Sequence, residues 1–430
     1  MAEPAAVTTE APTPTVAPMI APTLQDIERA RERVADVIEV TPVQQSRSIS
    51  EFLGSEVLLK CENLQRTGSY KLRGAYNRLA QLSDDEKARG VVAASAGNHA
   101  QGVALAAREL GIPATIFMPL GVALPKLQAT RGYGAAVELR GRIFDETLAA
   151  AIAFTEETGA VFIPPFDHPD VIAGQGTLGL EILEQVPDVD TIIVPIGGGG
   201  LAAGLAIAVK QKAAIAGRSV RVIGVQSANA AAFPVSIAAG VPTQITIAPT
   251  IADGIAVAKP GALTFDIIRD TLDDIVTVHD DDTARALVVL LERAKLVVEP
   301  AGAVGVAAIM TGQIAGTGRT VVILSGGNID PMMMERVISH GLAASDRYLK
   351  LRIPLPDRPG QLAQVSRIVS DANANVLEVF QAPLLASPWY LLWIIPPAGL
   401  AWIASKPILE GKTIFEYASS RFKYLLENKR

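Results

Sequence analysis

The chain has 430 residues, 49% of them hydrophobic and 19% charged, with a net charge of −6. That length and composition allow large buried cores in two or three domains and exclude a disordered or collagen-like chain. The acidic balance and the lack of any long Lys/Arg cluster argue against binding nucleic acid through its phosphates. A lone cysteine, Cys61, excludes an internal disulfide and a cysteine-based zinc cluster and suits a reducing cytoplasm.

The first 23 residues, with five prolines, Glu3 and Glu10 and no basic residue, read as a loose leader rather than a secretory signal. Thr23 is placed to cap LQDIERARERVADVI as an amphipathic helix. Strands are then expected at 56–60, 90–95, 114–119, 191–197, 221–226, 274–279 and 320–326, most of them near-continuous apolar runs. Helix-like segments such as NHAQGVALAAREL and LAAGLAIAVKQKAAIA lie between them. The alternation predicts an α/β fold of parallel sheets with helices on both faces. In such sheets ligands bind beyond the carboxyl ends of the strands.

Three of those strand ends are unusual. VVAASAGNHAQG (91–102) runs from a strand through Ser95, Ala96, Gly97, Asn98 and His99 into a helix, whose free N–H groups suit a carboxylate or phosphate. The plain alternative is an N-cap by Ser95 or Asn98. IVPIGGGGLAAG (193–204) places Gly197, Gly198, Gly199, Gly200 and Leu201 between a strand and a helix, where backbone N–H groups can close around a phosphate, although this is neither the dinucleotide fingerprint nor a P-loop. VVILSGGN (321–328) ends a strand in Ser325, Gly326, Gly327 and Asn328. Upstream, RTGSYKLRGA (66–75) sets Lys71 among small and uncharged neighbours, where an exposed lysine at a helix start is the plain alternative.

The order Gly-Ser-Tyr-Lys, Ser-Ala-Gly-Asn-His, Gly-Gly-Gly-Gly-Leu, Val-Glu-Pro-Ala-Gly-Ala (298–303), Ser-Gly-Gly-Asn is specific. It resembles the pyridoxal-phosphate enzymes of the tryptophan-synthase-β fold, and among them the threonine dehydratases (threonine ammonia-lyases). The resemblance covers roughly residues 24 to 345; PFDHPDVIAGQGT (165–177) and the segment around Lys126 add to it. It implies fold type II, with two parallel-sheet α/β lobes, and pyridoxal 5′-phosphate as cofactor. It implies dehydration and deamination of L-threonine to 2-oxobutanoate and of L-serine to pyruvate, by a homodimer or homotetramer.

By the same resemblance Lys71 carries the covalent link to the cofactor and serves as the base that takes the α-proton. An enclosed pocket without acids favours this by lowering the amine pKa through desolvation. Asn98 is assigned to the cofactor 3′-oxygen, Gly197, Gly198, Gly199, Gly200 and Leu201 to its phosphate, Ser325 to the pyridine nitrogen, and the loop Ser95, Ala96, Gly97, Asn98 and His99 to the substrate carboxylate. A hydroxyl at Ser325 supplies no negative charge to hold the ring nitrogen protonated, which favours prompt loss of a β-leaving group. The cofactor phosphate, with no Lys or Arg in its loop, is expected to donate the proton that lets hydroxide leave as water.

Serine racemases resemble this chain too, but carry a serine acid/base where Ala96 stands here. They also hold a divalent cation near an acidic residue in place of Gln226, so no metal site is expected. His99 is expected only to shape the carboxylate loop, Asp280, Asp281 and Asp282 to start a helix, and Glu299 to face the cofactor ring without an assignable proton-transfer role.

The segment 346–430 begins as a different domain. Residues 348–381 read strand, Asp-Arg-Pro-Gly turn, amphipathic helix, strand, and resemble the first half of an ACT (ferredoxin-like) amino-acid-sensing domain. From about residue 382 the pattern breaks into an uncharged run, 382–404, interrupted by Pro388, Pro396 and Pro397, and then a basic end. A membrane role for that run is not expected, and isoleucine or valine is the effector class implied. The rival readings are serine racemase, serine dehydratase or threonine synthase within the family, and a nicotinamide-binding oxidoreductase or a non-catalytic amino-acid sensor outside it.

Overall fold

The computed structural model describes residues 19–345 without interruption; after them it describes only residue 347, 353–355, 358–372, 374, 376, 407–409 and 412–413. The chain divides into two compact units, Met1–Lys350 and Leu351–Arg430. In the second, the helix Gln361–Asp371 lies within the stretch expected to be helical. The strands expected around it, apart from isolated residues, and the apolar run 382–404 lie outside the described residues, as do the first 18 residues of the leader.

Among its described residues the first unit carries ten strands: β1 Val43–Gln45, β2 Val57–Lys60, β3 Val91–Ala94, β4 Ala114–Met118, β5 Ala136–Leu139, β6 Val161–Phe162, β7 Thr191–Pro195, β8 Arg221–Ser227, β9 Asp274–Val278 and β10 Thr320–Ile323. All seven strands expected from the sequence are present. Six form one sheet in the order β1-β2-β10-β7-β8-β9 and four a second sheet in the order β5-β4-β3-β6. Every pairing is parallel except β1 with β2.

The apolar runs follow from burial on both faces. Along a strand successive side chains point to opposite sides. Accordingly Ile192 and Val194 of β7 enter one core with Val222 and Val321, whereas Ile193 enters another with Ile223 and Val322. The smaller sheet repeats the arrangement, with Val91 and Ala93 in one cluster and Val92 and Ala94 in the other. Glycine also lets two helices pack closely on each other: a Cβ on Gly204 of the helix Gly200–Ile215 would run into the carbonyl oxygen of Ile172 in the helix Pro169–Gln185.

The first helix begins as expected, with Thr23 and Asp26 forming a capping box, but ends at Val34 rather than running to Ile38. The N–H groups of Val37 and Ile38 both turn back to the Val34 carbonyl. The turn sends Val37 into the core of the smaller lobe, while Leu24, Ile27 and Ala30 stay in that of the larger. Among the described residues no helix is long and apolar enough to cross a membrane.

Candidate active site

The sequence motifs come together where the strands of both sheets end. β2 leads through residues 61–70 into the helix Lys71–Ala80. That loop is tied to the end of β10: Ser69 bridges Gly326, the Tyr70 N–H donates to the Ser325 carbonyl at 3.2 Å, and the Gly327 N–H donates to the Gly68 carbonyl at 2.9 Å. Lys71 opens its helix half-buried, and its amine donates to the Pro165 carbonyl at 2.8 Å with the Tyr70 ring centre 5.3 Å away. Burial away from water pulls the amine down to about 8, against the opposing pull of the Glu299 charge.

β3 leads to Ser95, Ala96 and Gly97 and into the helix Asn98–Leu110. Gly97 is the N-cap and no side chain caps the helix; Ser95 Oγ instead accepts from the Gly97 N–H at 3.2 Å. Neither Ser95 nor Asn98 therefore acts as the ordinary cap. The first N–H groups of a helix have no partner within it, so this end suits an anion. Asn98 turns its side chain to the opposite lobe, donating through Nδ2 to Glu299 Oε1 at 2.7 Å and accepting through Oδ1 from Asn328 Nδ2 at 2.8 Å. His99 is buried, with Nε2 2.9 Å from the Ile163 carbonyl oxygen. Burial, helped by the Lys71 charge, holds its ring down to about 3, so it is neutral at physiological pH.

Glu299, the residue the sequence left without a role, is buried between the two motif loops. Desolvation first and the Asp253 charge second raise its carboxyl to about 7, with the Asn98 hydrogen bond, Lys126 and Lys71 opposing. Lys126 reaches Asp253 at 3.3 Å. The site thus holds an amine and a carboxylic acid that burial shifts toward neutrality from opposite sides.

β7 ends at Pro195 and leads through Ile196 and the glycine loop into the helix Gly200–Ile215. A Cβ on Gly198 would stand 2.3 Å from the Phe166 ring, and one on Gly199 2.8 Å from Phe233 Cζ. Gly199 also has φ +98°, a left-handed backbone that favours glycine. Thr264 Oγ1 donates to the Gly198 carbonyl at 2.7 Å, fixing the loop from behind. Gln226 is buried at the end of β8; its Nε2 donates to the carbonyls of Ile196 at 3.3 Å and Ala230 at 3.4 Å, and its Oε1 accepts from the Phe233 N–H. Asp280 starts a helix, as expected, and accepts from Thr250 Oγ1 and the Ile251 N–H.

Residues 34–326 match the sequence model of a family described as pyridoxal-phosphate dependent enzyme. The chain belongs to that family. The L-threonine ammonia-lyase of Thermotoga maritima is 49% identical over 358 residues, which are 83% of this chain and 88% of that protein. The catabolic L-threonine dehydratase of Escherichia coli K12 is 47% identical over 310 residues, 71% and 93% of the two chains. Among solved structures, threonine deaminase isoform 2 from Solanum lycopersicum, in its processed form, superposes with a TM-score of 0.69 at 37% identity over 76% of this chain and 98% of that one. Maize serine racemase gives 0.69 at 36% identity over 76% and 100%.

The residues present fit pyridoxal phosphate. The glycine loop is a bare backbone cradle that a side chain would fill, placed where a helix begins. Two residues before Lys71, the hydroxyl of fully buried Ser69 has no hydrogen-bond partner among the described residues.

One set of site-supporting residues escaped the sequence reading. Arg73, two positions after Lys71, lies in a buried network: it reaches Glu62 at 2.8 Å and Glu181 at 2.9 Å, and Lys60 reaches Glu181 and the Thr41 carbonyl. Two cations balance two carboxylates, and Thr41 Oγ1 donates to Glu62 at 2.6 Å. The charged residues of KLRGA and LLKCEN were visible, but their partner Glu181 is 108 positions from Arg73.

Proposed function

We propose that the chain is a threonine ammonia-lyase, converting L-threonine to 2-oxobutanoate and ammonia and L-serine to pyruvate and ammonia. The observation that carries this is Lys71, an amine held near neutrality without an acid in hydrogen-bond contact, at the meeting point of the Asn98, glycine and Ser325 loops. The names of the two sequence relatives and of the Solanum lycopersicum structure specify threonine and support the substrate class; maize serine racemase is the exception among the proteins compared.

When bound, pyridoxal phosphate supplies the electron withdrawal that makes the substrate α-proton removable. Lys71 is assigned to its covalent attachment and then, through Nζ, to removal of the proton from Cα. Gly197, Gly198, Gly199, Gly200 and Leu201 would hold the phosphate with backbone N–H groups, Asn98 the 3′-oxygen and Ser325 the ring nitrogen. Ser95, Ala96, Gly97, Asn98 and the N–H groups of that helix start would orient the substrate carboxylate; neutral His99 supports the loop from behind. The β-hydroxyl leaves as water and one water is taken up when ammonia is released, so threonine gives 2-oxobutanoate and ammonia with no net water.

Serine racemase chemistry is disfavoured by Ala96, whose methyl group has no proton to return to the second face. A reducing cytoplasm suits the single, buried Cys61. The residues after about 346 are proposed as an ACT-like regulatory segment for a small amino acid such as isoleucine or valine, and a homodimer or homotetramer is the proposed assembly. Borohydride reduction of the purified holoenzyme followed by peptide mass mapping tests the site: cofactor fixed on Lys71 is the expected result, and cofactor fixed elsewhere, or nowhere, overturns it.

A further inference from the structure

We propose that Asn328 is a positioning residue for Asn98, fixing which way the Asn98 amide faces and thereby how tightly the cofactor is held. The inference rests on the assignment of Asn98 to the cofactor. Asn328 uses both hydrogens of its amide: one goes to the Thr67 carbonyl at 2.7 Å, the other to Asn98 Oδ1 at 2.8 Å. It therefore ties the loop before Lys71 to the loop holding Asn98, segments that lie 261 and 230 positions away along the chain.

An asparagine amide offers an acceptor on one side and two donors on the other. With Oδ1 of Asn98 occupied by Asn328, Nδ2 must face Glu299, and only one of its two hydrogens is taken there. The reversed amide would set nitrogen against nitrogen at Asn328. Glu299 cannot enforce the orientation by itself, because a carboxyl that titrates at about 7 becomes a donor as well as an acceptor when protonated. The Asn328 nitrogen only donates, so it fixes the orientation at any pH.

Gly68 makes room for this contact. Its φ is +69°, and a Cβ there would stand 2.4 Å from Asn328 Oδ1. A side chain at 68 would push the amide off both partners.

The test measures cofactor loss from the full-length holoenzyme on dilution, followed by its visible absorbance, in Asn98→Ala, Asn328→Ala, Asn328→Asp and the Asn98→Ala/Asn328→Ala double variant, with melting curves of each preparation. Asn328→Ala is expected to raise the dissociation constant roughly tenfold, the size of one lost oriented hydrogen bond. Asn328→Asp keeps the shape, loses the donor toward Asn98 and is expected to do at least as much, which carries the test should the alanine variant fold poorly. In the Asn98→Ala background, removal of Asn328 should add little, because residues acting as one unit are not additive. Additive losses, or an unchanged dissociation constant in Asn328→Asp, overturn the proposal. Unchanged binding in Asn98→Ala alone overturns the assignment of Asn98 itself, and the proposal with it; this is a different arm from the one that tests Asn328.

Discussion

The amine of Lys71 donates to the carbonyl oxygen of Pro165, and the next residue, Phe166, lays its ring where a Cβ on Gly198 would stand. One dipeptide thus touches both the lysine and the glycine loop. A bulky residue at 198 must displace that ring and, with it, the carbonyl that holds the amine. Gly198→Val is therefore expected to weaken cofactor retention by about one to two orders of magnitude, from an overpacking cost of about 1–3 kcal/mol. Cofactor occupancy after exhaustive dialysis checks it; full retention would mean that the loop does not cradle the phosphate.

Glu299 gives a pH prediction with a definite sign. Its carboxyl titrates at about 7 in the folded chain against an ordinary value of 4.5. Below 4.5 both folded and unfolded chains hold the proton; between 4.5 and 7 only the folded chain keeps it, so stability falls as pH rises through that window. Glu299→Gln keeps an acceptor for Asn98 and removes the buried charge. With both proteins cofactor-free, the variant should exceed the parent in stability above pH 7 by on the order of 3 kcal/mol and converge with it below about pH 4.5. Urea unfolding across that range is the measurement, and a constant difference would show that burial does not perturb this carboxyl.

The network under Lys71 predicts a structural loss. Among the described residues, Arg73→Leu leaves Glu62 with no ion-pair partner and Glu181 with Lys60 alone, and removal of one member of a buried ion pair costs about 3–5 kcal/mol. Denaturant midpoints of Arg73→Leu and of an Arg73→Leu/Glu62→Leu pair separate the causes: the double variant should recover part of the loss because no orphan charge remains at 62. No recovery would place the cost in packing instead.

Ala96 predicts what the protein does not make. Incubated with L-serine, it should form pyruvate and ammonia without accumulating D-serine, as read by chiral chromatography at early times. D-serine at a rate comparable with pyruvate would reveal another proton donor on the second face, Ser95 being the nearest hydroxyl in the loop.

Where the apolar pattern was continuous, the fold was readable from the residues. β2, β3, β7 and β10 are buried along their whole length, and such runs stand out. The three strands of the first unit that escaped lack that signature. β1 is a polar triplet, Val-Gln-Gln, held at the sheet edge by antiparallel pairing; β5 is a half-exposed edge; β6 is two residues long. The glycine, Lys71, Asn98 and Ser325 loops were legible because strand ends of an α/β sheet are where glycine and small polar residues need a reason. The orientation of the Asn98 amide was not legible, because it depends on Glu299 and Asn328, brought together by sheet order rather than spacing. The same holds for Gln226, which the sequence marked as a missing acid and whose amide the fold uses to bind two carbonyls.

The proposed threonine ammonia-lyase activity depends on Lys71. The most direct measurement is 2-oxobutanoate and ammonia formed from L-threonine by purified, cofactor-saturated protein, beside the Lys71→Ala variant. The parent is expected to give equal amounts of the two products and the variant a rate lower by roughly three or more orders of magnitude, since attachment and base are lost together. Near-parental turnover in Lys71→Ala, or no 2-oxobutanoate from the parent, would contradict it.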